Sequence, residues 1–468
     1  MWDLLKSFLA FGLATSLEKL IAFLLLPLYT KVFSVVEYGY IDLIQVTFII
    51  ITAFSVLQFE TSLQRYYYEY RGKIKVLFIS TVFNSILLFS ICISILVIIF
   101  YPVLEHLLFK QQNLEQSFLL ASIQIPFSNI IMLLLLITRF ERKSLIFSIA
   151  ILLKILLTLI CTYLFIVFYS YGIEGVFAAQ LISNILIAGF LLVKNVRYIK
   201  LAFSKRLFLK AFYYAYPQIP ARLGSVLSGN INRYLMIGYL SVASVGIYSL
   251  ALKVASVMQL AYTAFILAWS PFMFQQLRKT DNQQNFANSL SLISCPVFFL
   301  VTLMALFSPE ILQIVTSSEE YKEASFLIGG LSFYFSIFIF KEIVDIGPRF
   351  KERTIYISIN YFFSLLVNIG LLLLLIKKLE EKGVVLSMIA TNIVLLVASW
   401  YFSNRLYPVA FRVRYFIGLL LPALLVVLFM MYYECDLYFR LFFMIICSLF
   451  YGVMFFNSLK KLKMYSLI

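Results

Sequence analysis

The chain is poor in charge. Asp, Glu, Lys and Arg make up 13% of its 468 residues, where a soluble protein carries about 25%. It is 63% hydrophobic, with a mean hydropathy of +0.97. No soluble core hides that much apolar surface, so the solvent for most of the chain is lipid. Strictly alternating stretches are few and aromatics reach 18%, which favours helical spans over barrel strands.

Other scarcities exclude chemistry. There is one histidine, His106, in a short connection expected at the outer surface. The five cysteines (Cys92, Cys161, Cys295, Cys435 and Cys447) are scattered. None has a metal-ligand spacing, so they read as buried thiols. No Gly-rich phosphate loop with Lys, no nucleophile elbow and no paired metal-binding carboxylates outside the membrane occur. No connection exceeds about 20 residues, leaving no soluble domain to house a reaction. An ATP-driven pump and a membrane glycosyl polymerase are both disfavoured, and the chain reads as a protein that is not an enzyme. The net charge of +16 is better explained by membrane orientation than by nucleic acid. The first apolar segment runs about 25 residues from Leu4 with no small-residue cleavage site after it, so it reads as a span rather than a cleaved leader.

What is present is a series of about fourteen apolar segments, each near the ~20 residues a crossing helix needs. They lie near 4–28, 40–60, 76–101, 116–138, 144–169, 173–193, 208–234, 242–272, 286–307, 324–345, 354–376, 383–402, 415–432 and 438–456. Pro217 and Pro220 interrupt the seventh, which is expected to kink or unwind. Counted with the residues at span ends, the connections after even-numbered spans carry 24 Lys and Arg, those after odd-numbered spans 7. The positive-inside rule then puts both termini in the cytoplasm. The basic connection Lys194–Lys210 reads as a linker whose charges anchor it at the inner surface and contact anionic membrane lipids.

The chain also repeats itself. SVVEYGYIDL (Ser34–Leu43) and SVASVGIYSL (Ser241–Leu250) share Ser, Val, Gly and Leu at an offset of 207. GVFAAQLISNI (Gly175–Ile185) and GVVLSMIATNI (Gly383–Ile393) agree at an offset of 208, and Arg139-Phe140 and Arg349-Phe350 at 210. Weak matches at nearly one offset, in equivalent places, mark an internal repeat. An even number of crossings per half makes the halves parallel repeats. The expectation is an all-α integral membrane protein with two pseudo-symmetric six-helix lobes, residues 1–200 and 201–405, followed by two additional helices and a tail over 406–468.

Polar residues inside these spans are candidate contacts for a transported molecule. In span 7, Gln218, Arg222, Ser225, Gly229 and Asn232 fall on one helical face. In span 8, Ser249, Lys253, Ser256 and Thr263 do the same. Lipid has no use for such stripes, and Arg222 and Lys253 have no acidic neighbour in sequence. Thr15 and Lys19 share a face of span 1 beside Glu18; Glu18 and Lys19 read either as a neutralised pair or as part of a site. Lys154 lies near the middle of span 5. Lys341, Glu342 and Asp345 read as a local charge cluster or an end-of-helix snorkel. Asp42 is expected at the interface, near the outer end of span 2.

The opening LIAFLLLPLYTKVFSVVEYGYIDLIQ (Leu20–Gln45) and RYYYEY (Arg65–Tyr70) resemble bacterial polysaccharide flippases of the Wzx type. These belong to the multidrug/oligosaccharidyl-lipid/polysaccharide exporter superfamily. The resemblance covers the first twelve spans in layout and is sharpest over residues 20–70 and 241–250. It implies a flippase carrying an undecaprenyl-diphosphate-linked oligosaccharide, for O-antigen or capsule, from the inner to the outer leaflet of the bacterial cytoplasmic membrane. It also implies a cation-lined cavity between two alternating lobes, with Lys19, Arg222 and Lys253 as its cations and Lys154, Gln218, Ser225 and Asn232 as further substrate contacts. A polysaccharide polymerase and a chain-length regulator are the implied protein partners. No cofactor is expected; drive by a proton or sodium gradient has Glu18 and Asp42 as candidates. Alternatives are a cation-coupled multidrug exporter of the same fold, which needs unpaired buried acids, and a lipid II flippase, since fourteen spans are that subfamily's number.

Overall fold

The computed structural model describes residues 23–109, 114–276, 282–316, 318–351, 353 and 355–465. Every regular element among them is helical. After α1 (Phe23–Val32), the chain breaks at Ser34, whose side chain accepts a hydrogen bond from the Glu37 N–H, while the Glu37 carboxylate accepts one from the Ser34 N–H. This capping box starts α2 (Val35–Ser55). There follow α3 (Phe59–Tyr66), α4 (Gly72–Ile99), α5 (Tyr101–Phe109), α6 (Glu115–Phe140), α7 (Ser144–Tyr163) and α8 (Ile173–Lys194). Next come α9 (Lys205–Ala215), α10 (Ile219–Tyr239), α11 (Val242–Gln276), α12 (Asn282–Leu306), α13 (Ser308–Val315) and α14 (Ala324–Val344). The last four are α15 (Ile346–Phe350), α16 (Ile355–Leu406), α17 (Val413–Tyr432) and α18 (Leu437–Tyr465).

Eleven helices among the described residues are long and apolar enough to cross a membrane. Their surfaces suit lipid. On α18, Phe442, Ile445, Leu449, Val453 and Phe456 form an exposed apolar stripe, which in water would be an aggregation liability. The chain is a multi-pass integral membrane protein.

The run of helices is interrupted at two places of note. The seventh expected span is not one helix: α9 ends at Ala215, Tyr216–Gln218 tightens into a 3-10 turn, and α10 begins at Ile219. Pro217 and Pro220 supply no backbone N–H for helical bonds, so the break falls where they stand. α10 is absent from the eleven apolar helices because Arg222, Ser225, Ser228, Asn230, Asn232 and Arg233 dilute its hydropathy. Spans 11 and 12 are the two helical arms of α16, separated by a turn at Glu380 (φ 48°, ψ −131°). Its two arms are antiparallel: the Asn368 amide faces the Thr391 hydroxyl at 3.4 Å and Asn360 faces Ser399 at 3.5 Å. Glu18, Lys19 and Thr15 lie outside the described residues.

Contacts divide the chain into two units, Met1–Gly246 and Ile247–Ile468. In the first, α6 is central, packed against α4 and α8, with α2 beside α6 and α10. Asn129 of α6 donates to Ser55 Oγ (2.7 Å) and Ser90 Oγ (2.6 Å), tying α2, α4 and α6 together. A buried apolar cluster that includes Phe59, Phe78, Leu134, Ile137 and Ala211 holds α3, α4, α6 and α9. In the second unit, α14 is central, packed against α12, α16 and α17.

The repeat is visible as equivalent contacts. Asn184 of α8 donates to Gln124 Oε1 of α6 at 3.3 Å. Its counterpart Asn392 of α16 donates to the carbonyl of Tyr334 in α14 at 2.8 Å. The matched asparagines therefore anchor matched helix pairs. Their conservation between the halves has a physical reason, since a buried amide needs a partner.

Candidate functional site

The ten-residue echo builds one end of the site. Ser34 and Ser241 cap their helices in the same way: Ser241 Oγ accepts from the Ser244 N–H at 3.1 Å, three residues on, as Ser34 does from Glu37. One turn later the glycines meet the opposite copy. A Cβ at Gly39 would overlap the Val242 carbonyl oxygen, and a Cβ at Gly246 would overlap the Val35 carbonyl oxygen. Val35 and Gly39 thus face Val242 and Gly246 reciprocally, with the backbones of α2 and α11 in direct contact. Only residues without a side chain permit that approach. Leu43 and Leu250, the last shared residues, are fully buried.

Beside this crossing lies an ion pair. Arg233 Nε of α10 donates to Asp42 Oδ2 of α2 at 2.6 Å, and both side chains are more than nine-tenths buried. Arg233 Nη1 also donates to Asn230 Oδ1 at 3.2 Å, and the Thr47 and Tyr234 hydroxyls meet at 3.0 Å. α2 and α10 are therefore fastened by a charge pair and a hydroxyl pair. Removing one partner of such a buried pair costs about 3–5 kcal/mol, because the other charge stays behind. Asp42, expected at the interface near the outer end of span 2, is buried within the protein and paired with Arg233.

Further along α2 the first unit opens into a cavity of about 460 Å³. Gln45 and Thr52 of α2, Glu60 of α3, Gln124 and Ser128 of α6, Gln180 of α8 and Arg222 of α10 supply its polar lining. Phe48, Ile125 and Val226 are among its apolar walls. Glu60 Oε2 is buried and accepts no hydrogen bond. Arg222 is exposed, with its five-donor fork available to a planar or tetrahedral oxyanion. The cavity thus combines one guanidinium, one carboxylate and several amides and hydroxyls in an otherwise apolar wall.

The other expected contacts are dispersed. Ser225 is exposed like Arg222, but Asn232 is buried, with an Oδ1 that accepts no bond. Gln218 Nε2 donates to the Tyr214 carbonyl at 2.9 Å. The stripe on span 7 therefore does not share one environment; the turn at Tyr216–Gln218 and the Arg233 anchor divide it. Lys154 is half-buried on α7, in the first unit, and Lys253 is half-buried on α11, in the second.

The second unit holds its own charge cluster. Lys341 Nζ lies 2.9 Å from Asp345 Oδ2 and 3.4 Å from Glu342 Oε1, and Arg349 pairs with Glu342. The Lys341 ammonium also lies 4.7 Å from the centre of the Tyr361 ring. Two cations balance two acids. Lys341 is 1% exposed, which rules out a snorkel and leaves the local cluster.

Sequence reasoning passed over Arg233, Glu60, Gln124 and Asn129. The signal for Arg233 was there: an arginine inside a span, eleven residues after Arg222, needs an acid or water. Asp42 was the acid, but nothing in the spacing says that the two helices touch.

The family model described as polysaccharide biosynthesis protein matches residues 4–277. No curated protein matches the chain in sequence. Among solved structures, the lipid II flippase MurJ in an inward closed conformation is similar with a TM-score of 0.75 at 17% identity, covering 96% of this chain and 99% of that one. A multidrug resistance transporter of the MATE family in an inward-facing conformation gives 0.65 at 14% identity, covering 83% and 94%. A Pyrococcus furiosus transporter of the MOP superfamily, described by the reverse polarity of its binding pocket, gives 0.55 at 14% identity, covering 86% and 95%. At these identities the likeness establishes the fold, the all-helical one of the MOP superfamily.

Proposed function

Because the chain belongs to the polysaccharide biosynthesis protein family, we propose that it is a flippase for an undecaprenyl-diphosphate-linked oligosaccharide. It works by alternating access in the bacterial cytoplasmic membrane, with both termini cytoplasmic, and serves O-antigen or capsule assembly. The observation that carries the reading is Arg222 lining a cavity of a membrane-embedded helical unit together with amides and hydroxyls. A diphosphate cannot cross ~30 Å of hydrocarbon uncompensated, and a guanidinium supplies charge and bidentate hydrogen bonds together. Gln45, Gln124, Ser128 and Gln180 offer the donors and acceptors that sugar hydroxyls need.

In this reading, residues 1–200 and 201–405 are the two alternating lobes and 406–468 an added helix pair. By the charge bias of the connections, the Gly39/Gly246 crossing and the Asp42–Arg233 pair lie at the outer end. They close that side while the cavity beneath receives substrate from the inner leaflet. Outward opening then requires both to part, driven by whatever binds the open state more tightly. Lys253 and Lys154 are further candidate substrate contacts, as is Lys19 by its place in the sequence. Glu60, which lines the cavity, joins Glu18 and Asp42 as a candidate acid for proton or sodium coupling. A polymerase and a chain-length regulator would take the product at the outer face.

The multidrug alternative draws on Glu60, an acid inside the cavity, but Arg222 in the same cavity opposes a cationic ligand. The test is complementation of a polymer-deficient strain, with membrane insertion checked by immunoblot. Arg222→Ala is expected to abolish surface polymer, and Arg222→Lys to retain a fraction of it. Normal polymer from Arg222→Ala would overturn the assignment.

A further inference from the structure

The second unit carries a pocket that none of the roles above uses. It has a volume of about 520 Å³, within the range of small-ligand sites. Its walls come from α13 and the segment after it, from the start of α14, and from the α17–α18 connection with the first turn of α18. The residues that matter are Glu319, Lys322, Phe326, Tyr433, Glu434 and Arg440.

Arg440 gives the pocket a built wall. It is 7% exposed. Its Nη1 donates to the Leu306 carbonyl at 3.1 Å and to Glu310 Oε2 at 2.5 Å, so the guanidinium is fixed in place. Its Nε is buried and has no acceptor. A buried N–H without an acceptor is costly, so what holds the guanidinium in this wall is its bonds to Leu306 and Glu310. Across the opening, Lys322 and Glu434 sit 3.5 Å apart, both largely exposed, and Glu319 is exposed beside them. Tyr433 presents an open ring, 60% exposed.

The charges decide the ligand class. An anion attracted by Arg440 and Lys322 meets Glu319 and Glu434, and a cation meets the reverse. Neither is favoured by a lining that alternates sign. A neutral molecule bearing many hydroxyls suits all of it, since each hydroxyl donates to a carboxylate and accepts from a guanidinium or ammonium. Tyr433 and Phe326 offer apolar faces against which a sugar ring's C–H side can lie.

We propose that this pocket is a saccharide-binding site, formed in part by the two helices that stand outside the repeat, and that it faces the outer side of the membrane. Its placement rests on the orientation given under Proposed function, but not on Arg222 or on the diphosphate. There it would hold glycan that has already crossed.

Cys435 lies in the pocket wall and reports on both claims. In intact cells, a membrane-impermeant maleimide is expected to label Cys435, read by peptide mass spectrometry. Labelling only after permeabilisation would overturn the outer placement. In the full chain reconstituted in nanodiscs, neutral lipid-free oligosaccharide released from the strain's own polymer is expected to slow that labelling several-fold. Tyr433→Ala should remove the protection and Tyr433→Phe should keep it. No protection by oligosaccharide, or equal protection by inorganic phosphate, would overturn the saccharide assignment. Arg222→Ala protein should be protected like the unaltered chain, so loss of polymer in that variant and loss of protection here report separate failures.

Discussion

Gly39 and Gly246 are repeat mates that each rest on a carbonyl oxygen of the other's helix, Gly39 on Val242 and Gly246 on Val35. Such reciprocity is what a two-fold relation produces: one surface, used twice, complementary to itself. Because both sides are backbone, the contact leaves no room for a side chain.

Gly39→Ala and Gly246→Ala should therefore behave alike. Each added methyl collides with a carbonyl that has no room to move, an overpacking worth about 1–3 kcal/mol. Both variants are expected to melt at lower temperature in detergent and to lose polymer. A neutral result at one glycine alone would contradict the reciprocity.

The Asp42–Arg233 pair should show strong coupling. Asp42→Asn and Arg233→Met singly leave a buried charge and are each expected to destabilise by about 3–5 kcal/mol. The double variant Asp42→Asn/Arg233→Met should be less damaged than the sum of the two, as measured by a thermal or denaturant double-mutant cycle. Strict additivity would show that the pair does not fasten α2 to α10.

Glu60 and Arg222 share one cavity, and Glu60 Oε2 accepts no hydrogen bond. Glu60→Gln should thus leave folding nearly intact while raising the cavity's net charge by one. The expected outcome in proteoliposomes is tighter binding of a polyprenyl-diphosphate substrate and slower release. Weaker binding would mean that Glu60 contacts the substrate directly.

In the second unit, Lys341→Met should leave Glu342 and Asp345 under-compensated, at a cost of about 3–5 kcal/mol. Adding Asp345→Asn should recover part of it. Thermal melting of the single and double variants checks the cluster's charge balance.

Glu380 holds a positive φ at an exposed turn, a backbone region costing a side-chain-bearing residue about 1–3 kcal/mol. Glu380→Gly is expected to raise the melting temperature with polymer unchanged. A lower melting temperature would mean that the Glu380 side chain contributes more than its backbone costs.

The sequence by itself determined the solvent and the segmentation. Low charge and repeated apolar runs of membrane length admit only lipid-embedded helices, because backbone groups in hydrocarbon must bond within their own segment. It also located the helix break at Pro217 and Pro220, where the missing N–H is a local fact, and it revealed the repeat through Ser34/Ser241 and Asn184/Asn392. Only the tertiary structure decided which charges were partners. Asp42 and Arg233 are 191 residues apart, and no periodicity reports a contact between faces of separate helices. The same held for Lys341, buried rather than snorkelling. Periodicity assigns a residue to a face of its own helix, but the energy of a charge depends on what the neighbouring helix brings to that face.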